Sequence, residues 1–108
     1  MLDALYAPRA SIASPTDDTI VCRCEELTAG EIRKAAAIGQ PGLNQLKCYT
    51  RAGMGPCQGR QCGYTVAHIV AQAQSRKVAD VGFFRIRPPL KPLTLAELAT
   101  LNIDEEQT

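Results

Sequence analysis

The spacing of four cysteines constrains this chain more than any other feature. Cys22 and Cys24 stand either side of a single residue in Val21-Cys22-Arg23-Cys24-Glu25-Glu26. Cys57 and Cys62 lie four residues apart in the glycine-rich run Met54-Gly55-Pro56-Cys57-Gln58-Gly59-Arg60-Gln61-Cys62-Gly63. In an extended turn, one intervening residue lets both sulfurs face the same side. The second pair runs from a glycine-rich loop into the start of an apolar pattern of helical period. Free backbone N–H groups and the positive end of a helix dipole stabilise anions there.

Four thiolates offered from two segments are what a [2Fe–2S] cluster requires. The residues therefore read as one cluster held by Cys22, Cys24, Cys57 and Cys62. Gly55, Gly59 and Gly63 let backbone approach sulfur and donate hydrogen bonds, which tune reduction potential. Arg23 and Arg60 stand beside ligands and can offset negative charge. A structural zinc site also uses four cysteines, but its pairs usually stand two to four residues apart, so C-x-C favours iron–sulfur. Two disulfides would need an oxidising compartment. No leader of basic and apolar character opens the chain, and no apolar run approaches the ~18 residues of a membrane span, so the expected location is cytoplasmic. The five cysteines then divide into four ligands and one bystander, Cys48, expected to be a small buried hydrophobe. His68 reads as a surface or half-buried residue, and Tyr49, Met54 and Tyr64 as packing around the site. A net charge of +1 gives no sign of a nucleic-acid surface. No catalytic Ser/His/Asp set, carboxylate pair or phosphate loop is evident, so the chain is expected to be non-catalytic by itself.

The fold class expected is mainly α: a small helical [2Fe–2S] domain, helix-turn-helix plus a third helix around the cluster, with extended N- and C-terminal arms. Residues 1–19 read as an arm, 20–78 as the cluster domain, and 79–108 as an extended, proline-rich docking arm with a short helix. Ile20-Val21 reads as extended. Thr28 and Glu31 form a capping box that opens a helix over 29–38, with Ile32, Ala35, Ala36 and Ile38 as its apolar face. Gly39 and Pro41 end it. A second helix over 43–49 buries Leu43, Leu46 and Cys48 or Tyr49, and 51–58 is a loop. A third, from Gly59 or Arg60 to between Gln74 and Lys77, presents Cys62, Val66, Ile69, Val70 and Ala73 on one face. Three prolines keep 83–93 extended. Its apolar residues suit another subunit's surface, and its removal is expected to spare the cluster. Thr94 and Glu97 cap a helix reaching Leu101, before the acidic Asp104-Glu105-Glu106.

These motifs, together with Leu46-Lys47 and Thr50-Arg51-Ala52-Gly53, resemble the [2Fe–2S] domain of the bacterioferritin-associated ferredoxin type. The similarity is greatest to the version in multi-subunit flavoenzymes: opine (octopine and nopaline) oxidases, hydrogen cyanide synthase, and relatives acting on sarcosine, proline or hydroxyproline. It spans about Ile20 to Lys77 and continues into Phe84–Leu93. The resemblance implies a small helical unit around a cluster on Cys22, Cys24, Cys57 and Cys62. It implies an electron-transfer subunit passing electrons singly between flavins or to an external acceptor. FAD, with FMN as a second candidate, is expected in larger flavoprotein partner subunits, since no dinucleotide-binding glycine motif occurs here. The stand-alone ferredoxin has two residues in its second cysteine pair where this chain has four. That spacing weakens the alternative of a free-standing ferredoxin or carrier. A zinc-binding interaction module is the second alternative.

Overall fold

The computed structural model describes residues 2–39, 42–88 and 91–100. In chain order these form α1 (Leu2–Leu5), α2 (Ala10–Ala13), β1 (Ile20–Cys22), β2 (Leu27–Thr28), α3 (Ala29–Ala37), α4 (Leu43–Thr50), α5 (Gly63–Ala73), α6 (Val78–Val81) and α7 (Leu95–Ala99). The architecture is mainly α with one two-stranded antiparallel sheet.

The capping box predicted for α3 is present. Thr28 Oγ1 accepts from the Glu31 N–H, and the Thr28 N–H donates to the Glu31 carboxylate at 2.8 Å. Gly39 leaves the helix with φ +92, a conformation that favours glycine. α3 buries Ile32, Ala35 and Ala36, but Ile38 is exposed because it caps the helix beyond the last buried turn. α5 packs against α3, α4, α2 and α6. Its Val66, Ile69 and Val70 meet Ile32, Leu43 and Leu46 in one core. Burying each of these aliphatic side chains contributes roughly 1.5–3 kcal/mol, a large share of what so small a domain has available.

Several sequence expectations change. β1 pairs with β2, aligning Ile20 with Thr28 and Cys22 with Leu27, so the first cysteine pair lies in a tight hairpin. Glu26 turns it at φ 54. The two residues of β2 are too few to show strand alternation in sequence. α5 starts at Gly63 rather than at Gly59 or Arg60, because 55–62 forms successive turns, and Ala73 is exposed. α4 buries Lys47 instead of Cys48 or Tyr49, both exposed. The short α6 is an addition.

The N-terminal segment is not simply extended. It contains α1 and α2, and Asp17 pairs with Arg33 of α3. The C-terminal segment starts as part of the domain: Val81 and Phe84 belong to the core. Asn44 Oδ1 accepts the Arg85 N–H at 2.9 Å, and Lys47 Nζ donates to the Arg85 carbonyl at 3.1 Å. The second capping box, Thr94 with Glu97, is present on α7. Pro41, Pro89, Leu90, Leu101 and the acidic 104–106 lie outside the described residues.

Candidate metal centre

The hairpin carries Cys22 and Cys24 to the loop before α5. Cys22 is buried on β1, and Cys24 is half-buried two residues on. Cys57 sits half-buried in the turns before α5, and Cys62 is the buried N-cap residue of that helix. The four come close enough to act on one another's titration, Cys62 chiefly with Cys22 and Cys24 chiefly with Cys57. The pairs also feel each other's charge, since Cys57 acts on Cys62 and Cys22 acts on Cys24. All four sulfurs are free of disulfide bonds.

The surroundings set the titration of these thiols in different directions. Burial pushes the Cys57 thiol up, but the backbone N–H groups of Gln61, Gly59 and Arg60 and the Cys24 thiol nearby hold it below the ordinary thiol value. The Cys57 N–H lowers Cys24. The nearby Cys57 thiol, burial and the neighbouring sulfur charges outweigh that, and the net direction is upward. Cys62 is pushed up to about 12, first by burial and then by the charge of Cys22, the nearness of its thiol and the charge of Cys57. The sulfur charges that raise Cys24 and Cys62 are what a bound cation would relieve.

The packing around the pairs is tight. A Cβ on Gly55 would lie 2.1 Å from Cys24 Cβ and 3.0 Å from its sulfur. A Cβ on Gly59 would come within 2.5 Å of the Phe84 ring, and one on Gly63 within 2.3 Å of the Phe83 ring. The C-terminal aromatics thus lie directly on the cysteine loop, a contact that loop composition alone does not signal. Glu25, next to Cys24, accepts from Arg51 Nε at 2.9 Å and ties the hairpin to the end of α4.

Cys48 is exposed on α4, apart from both pairs. Its neighbour Tyr49 is exposed too, as are Met54 and Tyr64, so these three do not wall the site. Tyr64 instead stacks on half-buried His68, with ring centroids 4.4 Å apart. Arg23 and Arg60 are exposed, and Arg60 Nη1 donates to the Cys57 carbonyl at 3.3 Å. Among the described residues, no three Cys, His, Asp or Glu side chains are gathered as a shell for one metal ion.

The sarcosine oxidase A3 domain model matches residues 16–101. The chain belongs to that family. It is 57% identical to the A subunit of opine oxidase from Agrobacterium tumefaciens (strain Ach5), over 93% of this chain and 20% of the relative. It is 54% identical to the corresponding opine oxidase protein of Rhizobium meliloti, over 93% of this chain and 19% of the relative. Hydrogen cyanide synthase subunit HcnB of Pseudomonas aeruginosa is 39% identical, over 81% of this chain and 18% of that protein. The chain thus spans about a fifth of the length of these curated relatives. No solved structure matches it. The A3 match includes both cysteine pairs and the Phe83-Phe84 contact. Among the described residues, no helix is long and apolar enough to cross a membrane.

Proposed function

We propose that this A3 domain holds a [2Fe–2S] cluster on Cys22, Cys24, Cys57 and Cys62. It serves as the electron-transfer element of a cytoplasmic, multi-subunit, flavin-dependent oxidase or dehydrogenase of opines or related secondary amines. FAD, with FMN as a second candidate, belongs to larger partner subunits. The observation that carries the reading is that the hairpin and the glycine-rich loop bring four cysteines close enough to act on one another's titration, in a chain closely similar to part of an opine oxidase.

The residues present fit the group. Soft thiolate donors suit iron–sulfur chemistry, and the backbone of residues 59–61 helps hold the Cys57 thiol below its ordinary value. A side chain at position 55 would fill the space beside Cys24. When bound, the cluster takes up and releases one electron at a time. Backbone donors around Cys57 stabilise negative sulfur, and Arg23 and Arg60 add positive charge at the exposed rim. The buried Cys22 and Cys62 limit water on the inner side.

Anaerobic isolation with iron, sulfide, zinc and flavin counted together tests the proposal. Two irons and two sulfides per chain with visible charge-transfer absorption are expected. A colourless protein with one zinc per chain would sink it. Cys57→Ser and Cys62→Ser should lose most of the absorption and loosen the fold, because metal binding and folding are coupled in so small a domain. Cys48→Ala should leave the iron content unchanged.

A further inference from the structure

The described residues contain one buried charged side chain, and no carboxylate lies beside it. Lys47 on α4 is 6% exposed. Its ammonium donates to the Arg85 carbonyl at 3.1 Å, which uses one of three N–H donors. Leaving a buried cation without an anion is costly. Lys47 lines a cavity of about 240 Å³ together with Gly53, Met54, Gln58 and Arg87. Gln58 and Arg87 also line a neighbouring groove of about 320 Å³, which adds Arg60 and Lys91. Among the described residues, no acidic side chain lines either space.

We propose that this groove binds a phosphate monoester dianion. Three features favour that ligand. The positive charge comes from separate parts of the chain: α4, the cysteine loop and the C-terminal segment. A monoester dianion matches this charge, and its three terminal oxygens can accept from a lysine point charge and an arginine fork together. The cavity around Lys47 is small, which suits a single phosphoryl group with its ester tail in the adjoining groove. Gln58 is held at the junction by donating to the Gly55 carbonyl at 3.1 Å. The anion would rest on the same loop that carries Cys57, so binding would brace that loop against the C-terminal segment. The inference does not depend on the cluster, since neither Lys47 nor Arg87 is a thiol partner.

Inorganic phosphate and phenyl phosphate, titrated calorimetrically into the full chain at constant ionic strength set with chloride, test the groove. Saturable binding at one site is expected for both, with phenyl phosphate the tighter. Arg87→Gln, at an exposed position, should weaken it about tenfold, the scale of one hydrogen bond to a charged group. Lys47→Met should abolish saturable binding, with a thermal melt reporting whether the variant is folded. If it is not, Arg87→Gln and the double variant Arg87→Gln/Lys91→Gln decide alone. Absence of saturable binding, or unchanged affinity in both Arg87 variants, overturns the proposal. So does tighter binding of a hexaglutamate peptide than of either phosphate, which would assign the groove to an acidic protein segment.

Discussion

Gly55 shows how little room the cysteine loop has. Its missing side chain is the space in which Cys24 sits, since a Cβ there would be 2.1 Å from Cys24 Cβ. That atom belongs to a short side chain on a tight hairpin and cannot swing away as the end of a long one would. Gly55→Ala should therefore push the hairpin off the loop and separate the Cys24–Cys57 pair. The expected result is loss of most visible absorption after cluster reconstitution. Gly39→Ala is the control. Position 39 has open space around it but φ +92, so alanine there should cost about 1–2 kcal/mol of strain and keep the full absorption. A Gly55→Ala protein with wild-type absorption would show that the hairpin yields, and that this close approach does not position Cys24.

At the scale of single elements, α3 is the best specified. Its capping box satisfies helix N–H groups from within the sequence, and Glu31 titrates below its ordinary value because the Thr28 backbone N–H and then its hydroxyl bond to the carboxylate. A lowered folded-state value means that the unfolded chain binds this proton more readily. The stabilisation from Glu31 is thus complete above the unfolded value of about 4.3, and is lost as pH falls through the folded value. Denaturant melts of wild type and Glu31→Gln should differ at pH 7 and converge on acidification below pH 4. A gap that persists at low pH would assign the contribution to packing instead of charge. The box, Gly39 and the apolar period made α3 legible in sequence, and periodicity likewise marked α4 and the middle of α5. Where α5 begins was not legible. Gly59 and Gly63 read as helix-compatible, whereas Gln58 and Gly59 take positive φ (52 and 78) and the Arg60 N–H turns back to the Cys57 carbonyl, which delays the right-handed helix to Gly63. Cys48 and Lys47 exchanged places for a similar reason. Hydropathy puts the cysteine inside, but an acceptor on a segment nearly forty positions away, the Arg85 carbonyl, lets the lysine be buried. The cysteine spacing announced all four thiols of the candidate site. The two aromatics that cover it were read as part of a docking strip, because their partners are glycines whose role is to be absent.

Across the whole molecule, the C-terminal segment is divided in function at its aromatic pair. Phe84 is 4% exposed, and its ring occupies the space left by Gly53 and Gly59. Phe83 lies over Gly63 yet remains half exposed. Removing everything from Phe83 onward would therefore strip a lid from the cysteine loop, contrary to the expectation that such a deletion spares the cluster. Phe84→Ala alone should cost about 3–5 kcal/mol, the usual loss for a buried phenylalanine in a packed core. Beyond Pro88 the balance differs. The described residues 91–100 are exposed, including Leu93, Leu95 and Leu98, and α7 contributes no buried residue. A chain ending at Pro88 keeps Phe84, the Asn44 and Lys47 hydrogen bonds to Arg85, and the core. It should take up iron and melt like the full chain. A chain ending at Gly82 should do neither. If 89–108 docks on a flavoprotein partner, the Pro88 truncation should also fail to co-purify with flavin-bearing subunits while holding its iron. Iron retention together with undiminished flavin recovery would place the docking surface on the helical body instead, leaving α7 outside the contact with the flavoprotein.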